Sequence, residues 1–199
     1  MREIQKYIKA TIQDAQDVAL LHKNGIPTGF LSQQSLSFLS ALYTYLIENE
    51  IVYVAKVDDV IVGFVAGTLT TNGLYKEFLK ENLGLLMLFA FKNIFSLSFI
   101  KKASETLFAP KKASLDDDES ELPELLSIVV DDKFKGQGLG KQLLQAFEYE
   151  LKKKSVSMYK VLVGSKLDAN KFYTQSGFIL KKDVELHKGD ISHIYVKSL

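Results

Sequence analysis

The sequence predicts a mixed α/β domain interrupted by an inserted segment, and three observations carry that expectation. Apolar residues recur at every second position in some stretches and at three- and four-residue spacing in others, so strands and helices are interleaved. The chain has 199 residues, 47% of them hydrophobic and 25% charged, which is the length and balance of one soluble globular domain that needs no disulfide or metal to hold it. Between Asn72 and Glu121 the pattern changes to a long apolar run followed by a charged one. We therefore expect a single domain over residues 1–199 with an inserted, mainly helical segment at about 73–120.

Each element has its own signal. Residues 3–10 alternate apolar and polar around Ile4 and Ile8 and read as a strand. Thr11 or Asp14 then opens a short helix through Val18 and Leu21, which the Asn24 to Gly29 stretch ends. Leu36, Leu39, Leu42, Tyr43 and Leu46 give one apolar face on a second helix. Ile51–Val57 and Val60–Leu69 are β-branched and aromatic runs joined at Asp58-Asp59, the pattern of a tight hairpin. Beyond the insertion, Leu125–Val130 reads as a buried strand, Lys141–Lys154 as an amphipathic helix, and Lys160–Val163 as a strand. A short helix ends at Gly177, and Phe178–Leu186 with Ile191–Val196 form a terminal hairpin around Lys188-Gly189-Asp190.

Composition removes several function classes. Lys and Arg number 25 against 24 Asp and Glu, a formal net charge of +1, which gives no field to hold a polyanion, so no nucleic-acid partner is expected. With no cysteine there is no disulfide, thiolate metal site or acyl-cysteine intermediate. His22, His187 and His193 lie in no recognisable metal spacing, so no metal is expected. Met1 to Tyr7 lack the apolar core of a signal peptide, and a cytoplasmic location is expected.

The most informative segment is Lys135-Gly136-Gln137-Gly138-Leu139-Gly140-Lys141, set between a buried strand and the first turn of a helix. Glycines let backbone N–H groups approach an anion, and a helix N-terminus adds unpaired donors and the positive end of its dipole. A Walker A loop is excluded: three residues rather than four separate Gly136 from Gly140, and Gln142 stands where a hydroxyl would bind magnesium. The dinucleotide fingerprint is excluded as well, because the three glycines are evenly spaced.

What fits is the Arg/Gln-x-x-Gly-x-Gly/Ala loop of the GNAT acyltransferase superfamily, matched by Lys135, Gly138 and Gly140. The later motif Ala-x-x-x-Tyr-x-x-x-Gly-Phe of that family is matched by Ala169, Tyr173, Gly177 and Phe178. The chain resembles this family over nearly its whole length except the insertion. Two departures stand out: Lys135 keeps a charge but lacks the planar fork of Arg, and Lys166 replaces a frequent Asn, with Asn170 one helical turn later.

The resemblance implies a central, mostly antiparallel sheet with helices on both faces and a V-shaped opening between two parallel strands, here Leu125–Val130 and Lys160–Val163. It implies acetyl-CoA as cofactor, with its pyrophosphate on residues 135–141, its thioester end along Ile128, Val129 and Val130, and Asn170 as a further contact. In the family an amine attacks the thioester directly, which agrees with the missing cysteine. Glu124 shares a strand face with Leu126, Ile128 and Val130 and matches the catalytic glutamate of some members, weighed against a solvated residue at a strand start. Tyr173 is the counterpart of the general acid that protonates the leaving thiolate, weighed against a packed structural tyrosine. Phe30 and His187 are the candidate acceptor-lining residues, the histidine being weighed against a structural role.

The run Leu83 to Ile100 carries Lys92 and Asn93 at its middle and falls short of a membrane span. Packing over the acceptor site or into a homodimer interface is favoured over contact with a membrane surface. The acidic residues 116–121 read as a solvated loop without the spacing of a calcium site. The expected function is acetyl transfer to the primary amine of a small molecule, amino sugars being one candidate class. The alternatives are protein or peptide N-acetylation and a non-catalytic acyl-CoA-binding sensor or interaction domain.

Overall fold

The computed structural model describes residues 4–26, 31–82, 84, 122–187 and 190–199. Among them the chain forms strands β1 (Ile4–Lys9), β2 (Ile51–Val57), β3 (Val60–Thr68), β4 (Glu124–Val130), β5 (Met158–Gly164), β6 (Ile179–His187) and β7 (Asp190–Ser198). The helices are α1 (Ala15–Gly25), α2 (Leu36–Asn49), α3 (Leu74–Glu81), α4 (Leu139–Lys153) and α5 (Ala169–Gln175). This is the mixed α/β class with mostly antiparallel strands that the sequence predicts. The residues divide into two compact units, Met1–Thr68 with Leu125–Ser157 and Leu199, and Leu69–Glu124 with Met158–Ser198. The boundary falls inside β4, after Glu124.

In the first unit the strand order is β1-β2-β3-β4. The β2–β3 hairpin turns at Asp58 and Asp59, both left-handed at φ 50° and 62°, the two positive φ angles that a type I′ turn requires. From Ile61 to Thr68 every residue of β3 is buried, the pattern of a strand covered on both faces. One face meets α1, where the His22 ring stacks on Phe64. The other meets α4, where a β-carbon on Gly63 would lie 3.0 Å from Leu143 Cδ1. Helix α4 buries Leu139, Leu143, Leu144, Phe147 and Leu151 on one stripe, each such side chain contributing roughly 1.5–3 kcal/mol relative to exposure. Helix α2 is started by Ser35, whose hydroxyl accepts from the Phe38 N–H at 3.2 Å, and it buries Leu39, Leu42, Tyr43 and Leu46.

In the second unit β7 pairs antiparallel with both β5 and β6, so Val163, His193 and Asp183 come side by side across three strands. Helix α5 stacks its Tyr173 on β7 through Tyr195.

Two helices begin or end elsewhere than the sequence reading places them. Helix α4 starts at Leu139 rather than Lys141, because the Leu139 side chain is a core anchor, 1% exposed. Helix α1 continues to Gly25, where a β-carbon would overlap the Val129 side chain. Absence of a side chain there lets the helix end lie against β4. Of the inserted segment, residues 73–82 and 84 are described and carry helix α3. The apolar run 85–100, the acidic residues 116–121, Phe30 and the Lys188-Gly189 turn lie outside the described residues. No described helix is long and apolar enough to cross a membrane.

Candidate active site

The loop between β4 and α4 holds its glycines in conformations that other residues resist. Gly136 and Gly138 have φ of 75° and 81°, the left-handed region that costs an L-residue roughly 1–2 kcal/mol. A β-carbon at Gly136 would meet nothing within 4 Å, and one at Gly138 only Gln142 Nε2 at 3.8 Å. Backbone geometry, not crowding, selects glycine here. The first intrahelical bond of α4 runs from the Gln142 N–H to the Gly138 carbonyl at 3.1 Å, leaving the N–H groups of Leu139, Gly140 and Lys141 without an intrahelical acceptor. Lys135, Gly136, Gln137, Gly138 and Lys141 are exposed. The loop can therefore present several N–H donors and two ammonium groups to an anion. Lys135 Nζ pairs with Asp132 Oδ1 at 2.5 Å; both are exposed, so the pair is a weak one that an anionic ligand could displace. Leu139 is buried and can contribute only its backbone.

In β4 only Leu125 and Val129 are buried, whereas Glu124, Leu126, Ser127, Ile128 and Val130 are half-buried, so the strand is less covered than the buried strand that the sequence reading expects. The Glu124 carboxylate is enclosed within the second unit. Lys160 Nζ of β5 stands 3.7 Å from Glu124 Oε2, with side chains 6% and 17% exposed respectively. Burial pushes the Glu124 carboxyl above its ordinary pKa, and the Lys160 charge opposes that rise without cancelling it. Tyr75, half-buried on α3, stands close enough that the Glu124 charge adds to burial in raising its phenol. A carboxyl so placed holds a proton more readily than one in water, the direction that a general base needs.

Tyr173 sits in an aromatic cluster. Its ring is edge-on to Phe172 and Phe178 and stacked on Tyr195. Burial raises the phenol pKa, so it keeps its proton through neutral pH, the state a proton donor needs. His193 joins the cluster edge-on to Tyr195, centroids 5.9 Å apart, and its Nδ1 lies 2.6 Å from Asp183 Oδ1.

Asn170 spends its amide nitrogen on the loop after β5, donating to the carbonyls of Gly164 at 2.9 Å and Leu167 at 2.6 Å. Its Oδ1 is buried and has no partner among the described residues. An N–H of the kind found in pantetheine amides would satisfy that oxygen. His187 lies in β6 opposite Asp190. His22, the remaining histidine, is a core residue, its Nδ1 2.6 Å from the Tyr43 hydroxyl.

The structure thus pairs Glu124 with a residue the sequence reading did not single out, Lys160, and joins Tyr173 to Tyr195, His193 and Asp183. A lysine within a strand was the only sequence signal for Lys160, and nothing in sequence pairs it with a glutamate one strand and one helix earlier.

Residues 113–197 match the family model of the acetyltransferase (GNAT) domain. A search of curated proteins finds no match. Similar solved structures include Ard1 from Thermoplasma volcanium, 14% identical with a TM-score of 0.61 over 98% of this chain and 97% of that one. The PaiA N-acetyltransferase from Thermoplasma acidophilum, in complex with coenzyme A, is 14% identical with a TM-score of 0.57 over 99% of each chain. The ribosomal-protein-S18-alanine N-acetyltransferase from Escherichia coli is 14% identical with a TM-score of 0.59, covering 100% of this chain and 94% of that one.

Proposed function

We propose, for a chain that carries a GNAT acetyltransferase domain over residues 113–197, that its acceptor is the primary amine of a small molecule. The match to that domain supports acetyl-CoA-dependent N-acetyl transfer, and the acceptor class and the residue roles belong to the same reading. The observation that supports the acceptor class is the enclosure of the Glu124 carboxylate, whose side chain is 17% exposed and faces Lys160 at 3.7 Å. An enclosed base suits a compact amine better than an extended peptide. Amino sugars are one candidate class. On this reading residues 1–199 are one acyltransferase domain.

Acetyl-CoA supplies an activated acetyl thioester. Residues 135–141 bind its pyrophosphate through backbone N–H groups and the Lys135 and Lys141 ammonium groups. Ile128, Val129 and Val130 line the thioester end, and N–H groups near Val129 and Val130 stabilise charge developing on the carbonyl oxygen. Asn170 shapes the loop after β5 and offers its unpaired oxygen. Glu124 accepts the proton of the incoming ammonium, directly or through water, so that the free amine can attack. Tyr173 donates its proton to the departing thiolate. Phe30 and His187 remain the proposed acceptor-lining residues.

The test is release of free coenzyme A thiol in the presence of small amines, amino sugars, and peptides with free N-termini or lysines. Turnover with small amines supports the reading. Turnover confined to peptides replaces it with peptide acetylation, the kind of activity that the name of the Escherichia coli structure describes. Acetyl-CoA binding with no turnover on any amine favours a sensor.

A further inference from the structure

Lys160 has no part in the roles above, yet it is one of the few buried charged residues described. It lies in β5 opposite Val196 of β7, a position that calls for an apolar side chain. Burying an ammonium group costs several kcal/mol unless an opposite charge faces it. Among the described residues the Glu124 carboxylate supplies such a charge, 3.7 Å away. The main chain fixes the pairing, because the Lys160 N–H donates to the carbonyl of Pro123, the residue before Glu124, at 2.9 Å.

We propose that Lys160 is the positioning residue of the Glu124 carboxylate, holding it ionised and aimed so that it can receive the proton of the acceptor amine. The proposal rests on the reading of Glu124 as the base. The 3.7 Å separation exceeds hydrogen-bond length, so the coupling acts through charge, and Arg can replace Lys. Lys160 of β5 pairs with the carboxylate, and the Glu124 charge also reaches the Tyr75 phenol of α3. The Tyr75 phenol is neutral across the working range, so the positive charge comes from Lys160. Removing it leaves burial unopposed, and Glu124 then holds its proton to higher pH.

The readout is the acid limb of the pH profile of kcat/KM. Lys160→Met is expected to move that limb upward by about one pH unit while leaving the KM for acetyl-CoA unchanged, and Lys160→Arg to return it to the wild-type position. Lys160→Gln, which keeps a polar head, takes the place of the Met variant if that one does not fold. Glu124→Gln is expected to abolish the limb, and adding Lys160→Met to it to change the profile no further. An unmoved limb in a folded, charge-removed variant overturns the assignment of Lys160 while leaving Glu124 as base. Wild-type rate and profile in Glu124→Gln overturn the base reading, and the proposal with it.

Discussion

The rings of Tyr173 and Tyr195 lie nearly parallel, 25° apart with centroids separated by 6.4 Å, so the phenol assigned as general acid is held by stacking on β7. Phe at position 173 keeps the ring contacts and removes only the hydroxyl. Tyr173→Phe is therefore expected to unfold within about 1 kcal/mol of wild type and to bind acetyl-CoA normally. Its kcat is expected to fall roughly 100-fold or more, the scale of lost general acid–base catalysis. Steady-state kinetics with a thermal melt check this; a wild-type kcat would make Tyr173 a packing residue.

His22 should make the fold sensitive to mild acid. Its ring is 3% exposed, and burial lowers its pKa from 6.5 to about 4. Above pH 6.5 the imidazole is neutral in folded and unfolded chains alike, and the stability is fully present. As pH falls from 6.5 towards 4 the unfolded chain takes up a proton that the folded one refuses, so stability declines through that window. Urea denaturation is expected to show a loss of about 2 kcal/mol between pH 7.5 and pH 5. In His22→Gln most of that difference should disappear. A flat wild-type profile would contradict the burial of a neutral imidazole.

Gly25 sets two effects against each other. Alanine is the better helix former by roughly 1 kcal/mol, so propensity alone expects Gly25→Ala to stabilise α1. A β-carbon there would, however, overlap the stiff Val129 side chain. Overpacking of that kind costs about 1–3 kcal/mol, and the net expectation is destabilisation, read as a lower denaturation midpoint. Val129→Ala in the same chain should relieve the clash. Stabilisation by Gly25→Ala alone would show that α1 does not end against β4.

Gly138 separates backbone conformation from space. A β-carbon there meets only Gln142 Nε2 at 3.8 Å, but its φ of 81° disfavours any other residue. Gly138→Ala is expected to weaken acetyl-CoA binding by about tenfold, equivalent to about 1.4 kcal/mol, as the loop relaxes out of the left-handed region. Calorimetric titration measures it, and unchanged affinity would remove residues 135–141 from the pyrophosphate site.

What the sequence made legible were the local features. The period of Ile51–Val57 and Val60–Thr68 and the paired aspartates between them specify a hairpin without outside help. The spacing of Leu139, Leu143, Leu144, Phe147 and Leu151 specifies a helix, although Leu139 reads as loop until its side chain is seen in the core. Tyr173 stood out because it falls in a motif, and Glu124 because strand alternation places it on the face of Leu126, Ile128 and Val130. The partners of both depend on tertiary register. Lys160 meets Glu124 only because β5 places a charged side chain at a buried position, and Asp183 meets His193 only once β6 and β7 align with irregular register between Leu180 and Lys182. Tyr75 was hidden for another reason: it lies in a segment whose composition marks it as an insertion and says nothing about what it covers.

The measurement that tests the central claim most directly is thermal unfolding of the protein with and without excess acetyl-CoA, with ATP and NAD as phosphate-bearing controls. At roughly 100 times its dissociation constant the ligand should add about 2.7 kcal/mol, a rise of several degrees for a chain of this length. The account expects that rise with acetyl-CoA and none with the controls. A folded protein whose melting temperature is unmoved by acetyl-CoA, or moved equally by ATP, would contradict it.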